Sequence, residues 1–275
     1  MKKYVFIDID GTLYDHKNRC VPESAKLALK KAKENGHELF ICTGRVKEMV
    51  ESLYRQLPVS GFVFACGAHI LKDNETIYQA VFPREEMNQL MQYFRANQID
   101  FTLEGSDFCY FSESSLKTYM GYFCGSSPEM EQKFTSGQCM KLMSEVDETG
   151  YNQVLKMAFQ AKKMEDLQPA LDNLSDKLTY FTYSDSFSGE IEGEILINGW
   201  DKADSVDRVL EYFHGNIENT IAIGDSDNDV SMIKKVAVGI AMGNACDSLK
   251  EVADYITTSV SEDGLYHAFE AMGLI

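Results

Sequence analysis

Near its start the chain carries a nearly unbroken apolar run, Tyr4-Val5-Phe6-Ile7-Asp8-Ile9, that ends on Asp10-Gly11. Strand formers without polar alternation suit a strand buried on both faces, which happens inside a parallel sheet covered by helices. Such a strand leaves Asp8 and Asp10 at its carboxyl end, where open parallel sheets bind ligands. Much else in the sequence has to agree with that placement.

The following segments do agree. Ser24 to Asn35 has Ala25, Ala28, Leu29 and Ala32 at helical spacing and Gly36 as a stop. Glu38 to Cys42 reads as a second strand, then Thr43-Gly44-Arg45 and a helical stretch to about Arg55, and Phe62 to Ala65 reads as a third strand. Strict alternation lapses after Pro83. A helix with Met87, Leu90, Met91 and Phe94 on one face is followed by two strand-like runs, Phe101 to Glu104 and Phe108 to Ser112, around Gly105-Ser106-Asp107. Gln153 to Gln160 and Lys177 to Tyr183 read as further strands around a helix from about Asp166 to Leu174. Alternation resumes at Lys202, with a helix to about Phe213, a strand at Thr220 to Ile223, a helix from near Asn228, and short strands at Val236 to Ile240 and Tyr255 to Thr257. The fold class expected is α/β, a doubly wound, mainly parallel sheet with an inserted α+β domain. Residues 1–83 and 196–275 would form the discontinuous core, and 84–195 a cap that controls access to it.

The residues just past the strand ends are Asp8 and Asp10, then Thr43, Gly44 and Arg45, then Gly224, Asp225, Asn228 and Asp229, with Lys202 opening the helix that returns to the core. Two carboxylates at ~4 Å repel by roughly 4 kcal/mol at an effective dielectric near 20, so the cluster calls for a cation. The donors are all hard oxygens, which favours Mg²⁺ over zinc or copper. One carboxylate can attack phosphorus while a second protonates the leaving oxygen and then activates water. Thr43 and the Gly44 amide would start a helix, whose free N–H groups favour an anion.

Composition narrows the partners. The net charge of −17 repels nucleic acid and anionic lipid headgroups, leaving a small phosphorylated metabolite held by local cations. No stretch reaches the ~18 apolar residues of a membrane span, and the first apolar run stops too early for a signal-peptide core. The seven cysteines lack any C-x-x-C pair, which fits a reducing cytoplasm. His16, His37, His69, His214 and His267 have no partner at ligand spacing and read as structural or surface residues; Asp15 and Asp227 read as facing water.

Four ordered stretches, Asp8-Ile9-Asp10-Gly11-Thr12-Leu13, Cys42-Thr43-Gly44-Arg45, Lys202, and Gly224-Asp225-Ser226-Asp227-Asn228-Asp229, resemble the motifs of the haloacid dehalogenase superfamily. A large insertion between the second and third, with Ala241-Met242-Gly243-Asn244-Ala245 and Glu262-Asp263-Gly264 later, resembles its Cof-type phosphatases. One position departs from that pattern, Cys66-Gly67-Ala68 standing where the subfamily usually has Asn-Gly-Ala. The resemblance implies Mg²⁺-dependent hydrolysis of a phosphomonoester through an aspartyl-phosphate, with Asp8 as nucleophile and Asp10 as general acid and base. It also implies a phosphate held by Thr43, Gly44, Lys202, Asn228 and the Ile9 amide, and a metal held by Asp8, the Asp10 carbonyl and Asp225, with Asp229 in support. A phosphomutase on the same core, or a phosphate-binding protein without turnover, are the competing expectations.

Overall fold

A computed structural model describes residues 1–123, 140–147, 150–183 and 189–275. Cys124 and Cys139 lie outside the described residues. In chain order the elements are β1 (Tyr4–Asp8), α1 (Glu23–Glu34), β2 (Glu38–Cys42), α2 (Lys47–Tyr54), β3 (Gly61–Phe64), β4 (His69–Lys72), β5 (Glu75–Gln79), α3 (Arg84–Ala96), β6 (Asp100–Gly105), β7 (Cys109–Phe111) and α4 (Glu113–Phe123). They continue as β8 (Met140–Leu142), β9 (Val154–Ala161), α5 (Met164–Asp172), β10 (Leu178–Thr182), β11 (Ile191–Ile197), α6 (Lys202–Phe213), β12 (Thr220–Gly224), α7 (Val230–Lys235), β13 (Val238–Ala241), α8 (Asp247–Lys250), β14 (Tyr255–Ile256) and α9 (Gly264–Ala271).

The chain divides into two compact units. The first comprises Met1–Arg45, Glu51–Gln79 and Trp200–Ile275. Its sheet runs β14-β13-β12-β1-β2-β3-β4-β5, parallel from β14 through β3 and antiparallel at β4 and β5. All five residues of β1 are buried, as an apolar strand covered on both faces demands. From β1 the chain proceeds on one side to β2 and β3, and later returns on the other to β12, so the strand order reverses beside β1. Register decides what meets there: Asp8 pairs with Cys42, and Ile7 with both Ile41 and Ile223. The carboxyl ends of three strands therefore stand level.

The β4–β5 hairpin is absent from the strands expected above. Its two-residue turn is Asp73-Asn74, both at positive φ (48° and 69°), the backbone of the tight turn that suits right-twisted hairpins. Because β5 is only partly buried, its apolar pattern is too weak to betray a strand.

The second unit, Ala80–Gly199 with Val46–Val50, is built on a sheet of order β10-β11-β9-β6-β7-β8, antiparallel except where β7 meets β8. One face packs Phe101, Leu103, Met157, Phe159 and Ile195 against Met87, Leu90, Met91 and Phe94 of α3 and Leu167 and Leu171 of α5. Period-two alternation sends Glu104, Lys156 and Glu194 to the opposite face. There Lys156 Nζ lies 2.6 Å from Glu194 Oε1 and 3.1 Å from Glu104 Oε2, while the Tyr119 and Tyr183 hydroxyls donate to Glu104 Oε1 (2.8 Å) and Glu194 Oε1 (2.7 Å). Lys156 is 3% exposed and Glu104 1%, so neither charge reaches water. Burial pushes the Glu104 carboxyl above its ordinary value, against the pull of Lys156.

Removing the one cation of this buried set strands two carboxylates. Lys156→Met should cost about 3–5 kcal/mol in urea unfolding. Adding Glu104→Gln should recover a substantial part of that loss, since the pair is one interaction rather than two.

Candidate active site

Asp8 closes β1, Thr43 follows β2 and Asp225 follows β12, so the level strand ends bring residues from three distant parts of the chain to one rim. Asp201 caps α6 through a reciprocal pair with Asp204, which fixes Lys202 as the first residue of that helix. The Lys202 ammonium, 1% exposed, lies 2.6 Å from Asp8 Oδ1, 2.6 Å from Asp229 Oδ1 and 3.3 Å from Asn228 Oδ1. It ties together residues 194 and 27 positions away.

Each of Asp8, Asp225 and Asp229 offers an oxygen within 4.8 Å of the others. Asp229 is wholly buried, and its second oxygen accepts the N–H groups of Asp225 (3.1 Å) and Ser226 (3.2 Å). Asp229 thus shapes the loop that aims Asp225. Thr12 Oγ1 donates to Asp225 Oδ1 at 3.4 Å, and Asn244 Nδ2 reaches both the Gly11 carbonyl (2.9 Å) and Asp225 Oδ2 (3.4 Å). Gly11, at φ +82°, comes so close that a Cβ there would overlap Asp225 Oδ2. Only glycine fits both demands.

Electrostatics follow from one cation among three carboxylates. Burial, then the neighbouring Asp229 charge, raise Asp8 well above the usual carboxylate range, against the pull of Lys202. The same causes push Asp225 up to about 7. Lys202, which burial alone would discharge, is held protonated by Asp229 and Asp8. A divalent ion would relieve this crowding, and the all-oxygen donor set suits a hard one.

Asp10 behaves differently. Burial would raise its carboxyl, but a hydrogen bond from His16 and the charge of Arg45 outweigh burial and lower it. Arg45 donates to Asp10 Oδ1 at 2.8 Å, and His16 Nε2 lies 3.0 Å from the same oxygen. His16 is the surface residue expected, its side chain 55% exposed, but it is not partnerless, and contact with Asp10 raises its own proton affinity. Asp15 is likewise corrected: at 2% exposed it does not face water, but accepts from the Lys17 and Asn18 amides. Both contacts arise inside one loop, which no ligand-spacing pattern describes.

The remaining expected residues are placed as follows. The Ile9 carbonyl accepts the amides of Thr12, Leu13 and Tyr14, a tight turn that brings Gly11 and Thr12 under the rim. Thr43 Oγ1 accepts the Arg45 amide at 3.1 Å, and α2 begins at Lys47, so Thr43 and Gly44 form a turn ahead of the helix rather than its first residues. Gly44 abuts Cys66, a buried residue at φ 53°. Left-handed backbone of that kind favours Asn among non-glycine residues, a physical reason for the asparagine usual there. Trp200 stacks on Tyr78 (ring centroids 4.8 Å apart), with the Arg208 guanidinium 3.7 Å from the Trp200 ring centroid, a packing role.

Known proteins are similar to this chain over nearly its whole length. A family model described as haloacid dehalogenase-like hydrolase matches residues 5–269. The 5-amino-6-(5-phospho-D-ribitylamino)uracil phosphatase YcsE of Bacillus subtilis is 27% identical over 97% of this chain and 94% of its own length. The pyridoxal phosphate phosphatase YbhA of Escherichia coli is 25% identical over 96% of each. The solved structure of the subclass IIB sugar phosphatase BT4131 superposes with a TM-score of 0.76 at 24% identity, covering 99% of this chain and all of that one, which shows a shared fold. With the family model spanning nearly its whole length, this chain belongs to the haloacid dehalogenase-like hydrolases.

Proposed function

We propose that the protein is a Mg²⁺-dependent phosphatase that hydrolyses a small phosphomonoester through an aspartyl-phosphate on Asp8. The observation that carries this is the convergence of Asp8, Asp225, Asp229 and Lys202, drawn from three segments of the chain onto one sheet rim. Support comes from the relatives YcsE and YbhA, both phosphatases of small phosphorylated metabolites.

In this mechanism an oxygen of Asp8 attacks phosphorus and the ester P–O bond breaks. Asp10 gives its proton to the departing oxygen, then takes one from the water that attacks the aspartyl-phosphate and releases inorganic phosphate. Lys202, Asn228, Thr43, Gly44 and the Ile9 amide hold the phosphate oxygens. Lys202 is prepared for this task, because its charge is kept by Asp8 and Asp229 and can act on the equatorial oxygens without reorganisation. Asp8, the Asp10 carbonyl and Asp225 would hold the ion, and Asp229 would support them. A magnesium ion held there would supply positive charge to offset the carboxylates and the transferring phosphoryl group. The insertion would govern which ester reaches this rim, and the protein would work in the cytoplasm. Among the described residues no helix is long and apolar enough to cross a membrane.

Asp8→Asn should abolish phosphate release from p-nitrophenyl phosphate with the circular dichroism spectrum unchanged; retained turnover would exclude the covalent route. Treatment with EDTA should stop turnover and added Mg²⁺ should restore it, whereas activity in metal-free protein would refute the role given to the carboxylate cluster. A third expectation concerns stability. A carboxyl whose folded-state pKa is raised holds its proton longer when folded than when unfolded, so the fold loses stability as pH rises from about 4, the unfolded value, to about 7. Asp225→Asn should therefore raise the melting temperature of metal-free protein at pH 8, with little effect near pH 4, and should abolish the stabilisation that Mg²⁺ gives the wild type. Equal melting temperatures at pH 8 would show that the crowding is relieved in some other way.

A further inference from the structure

The contact between His16 and Asp10 has no counterpart in the mechanism above. The imidazole is 55% exposed, but the loop that carries it is closed by its own hydrogen bonds. The loop that follows β1 turns on the Ile9 carbonyl, returns Tyr14 beside Asp10, and closes with paired backbone bonds between Asp15 and Cys20 (2.9 and 3.3 Å). Asp15 sits beneath this loop, and its Oδ1 takes the Lys17 amide at 2.9 Å and the Asn18 amide at 3.2 Å, while its Oδ2 takes the Asn18 side chain at 2.7 Å. Backbone geometry on both sides of His16 is thereby fixed, and the Tyr14 ring meets the imidazole edge-on, with centroids 5.2 Å apart. The outcome is Nε2 at 3.0 Å from Asp10 Oδ1, the same oxygen that Arg45 holds at 2.8 Å.

We propose that His16 is a positioning residue for the acid–base carboxylate, an inference that rests on the phosphatase reading of the site. His16 and Arg45 together immobilise Asp10 through Oδ1, so that Oδ2 is the oxygen that exchanges the proton. When Asp8 forms its bond to phosphorus and the ester P–O bond breaks, the proton on Asp10 Oδ2 passes to the departing oxygen, which leaves as an alcohol. Asp10 then becomes a carboxylate whose new charge falls next to the two donors already in place. Orientation of Oδ2 matters most while the proton is in flight, so it acts on the transition state rather than on substrate binding. Fixing one oxygen also removes the rotation that would otherwise have to be frozen during proton transfer.

Leaving-group dependence separates this role from simple support of the loop. p-Nitrophenyl phosphate and phenyl phosphate share a ring and a shape, but the nitrophenolate departs readily without a proton and the phenolate needs one. The second-order constant kcat/KM covers steps up to and including departure of the alcohol, so later hydrolysis of the aspartyl-phosphate does not mask the effect. With Mg²⁺ supplied, His16→Leu should lower kcat/KM for phenyl phosphate about tenfold more than for p-nitrophenyl phosphate, a fraction of what general acid catalysis commonly contributes. His16→Gln, which keeps an N–H donor at a similar reach, should restore most of that difference. A fall of equal size for both esters, or no fall at all, overturns the assignment of His16 while leaving the phosphatase intact. Wild-type protein that releases phosphate from neither ester overturns the phosphatase reading and this inference with it.

Discussion

Mutual repulsion among Asp8, Asp225 and Asp229 is the constraint around which the first unit is arranged. Left to themselves, three carboxylates with oxygens within 4.8 Å of one another would separate or take up protons. Here they are held by covalent and packing facts that leave little choice. Asp8 ends a fully buried strand, Asp229 is locked by two backbone amides, and Asp225 is pressed against a glycine that admits no side chain. Lys202 offsets part of the charge, and the remainder is stored as raised proton affinity at Asp8 and Asp225. A site under such strain gives up stability for readiness to bind a cation.

Parallel topology makes the arrangement possible. With β2, β1 and β12 pointing the same way and in register, residues separated by about two hundred positions share one rim, and the reversal of strand order opens a place between them. Asn244 extends the same economy, bonding the Gly11 carbonyl, Asp225 Oδ2 and the Val260 amide. Loops after three different strands are thus stitched to the first. The second unit uses antiparallel pairing to a different end: one face buries a conventional core, while the other carries Glu104, Lys156 and Glu194 in a hydrogen-bonded charge network. A buried network of that sort adds little net stability, since desolvation offsets the attraction.

Two carboxylates of the first motif, two positions apart, end in opposite electrostatic states. Burial and like charge raise the proton affinity of Asp8, whereas contact with His16 and the charge of Arg45 lower that of Asp10. Without a cation or a substrate these directions run opposite to the proposed roles, since a nucleophile must be ionised and a general acid protonated; a divalent ion beside Asp8 would lower its proton affinity. An arriving phosphate dianion would add negative charge beside Asp10 and favour the protonated form needed to act as an acid.

The buried strands β1, β2 and β12 could be read from sequence because their apolar runs lack alternation, and α1 and α3 because their buried residues recur at helical spacing. Chemical identity was equally legible: Asp8, Asp225 and Asp229 follow from residue type plus position at or past a strand end, and Lys202 from its place at the start of the returning helix. What pattern alone did not carry was anything set by short-range geometry or by packing. The β4–β5 hairpin rests on two positive-φ residues at a half-exposed edge, the helix after Thr43 starts later than its motif suggests, and the contact of His16 with Asp10 depends on how one loop folds over buried Asp15. The sequence by itself determined which groups stand at the carboxyl ends of the strands, because hydrophobic periodicity dictates what must be buried. Only the tertiary structure decided which of those groups share a proton, a cation or a hydrogen bond, because that depends on separations of a few ångströms between segments that periodicity cannot relate.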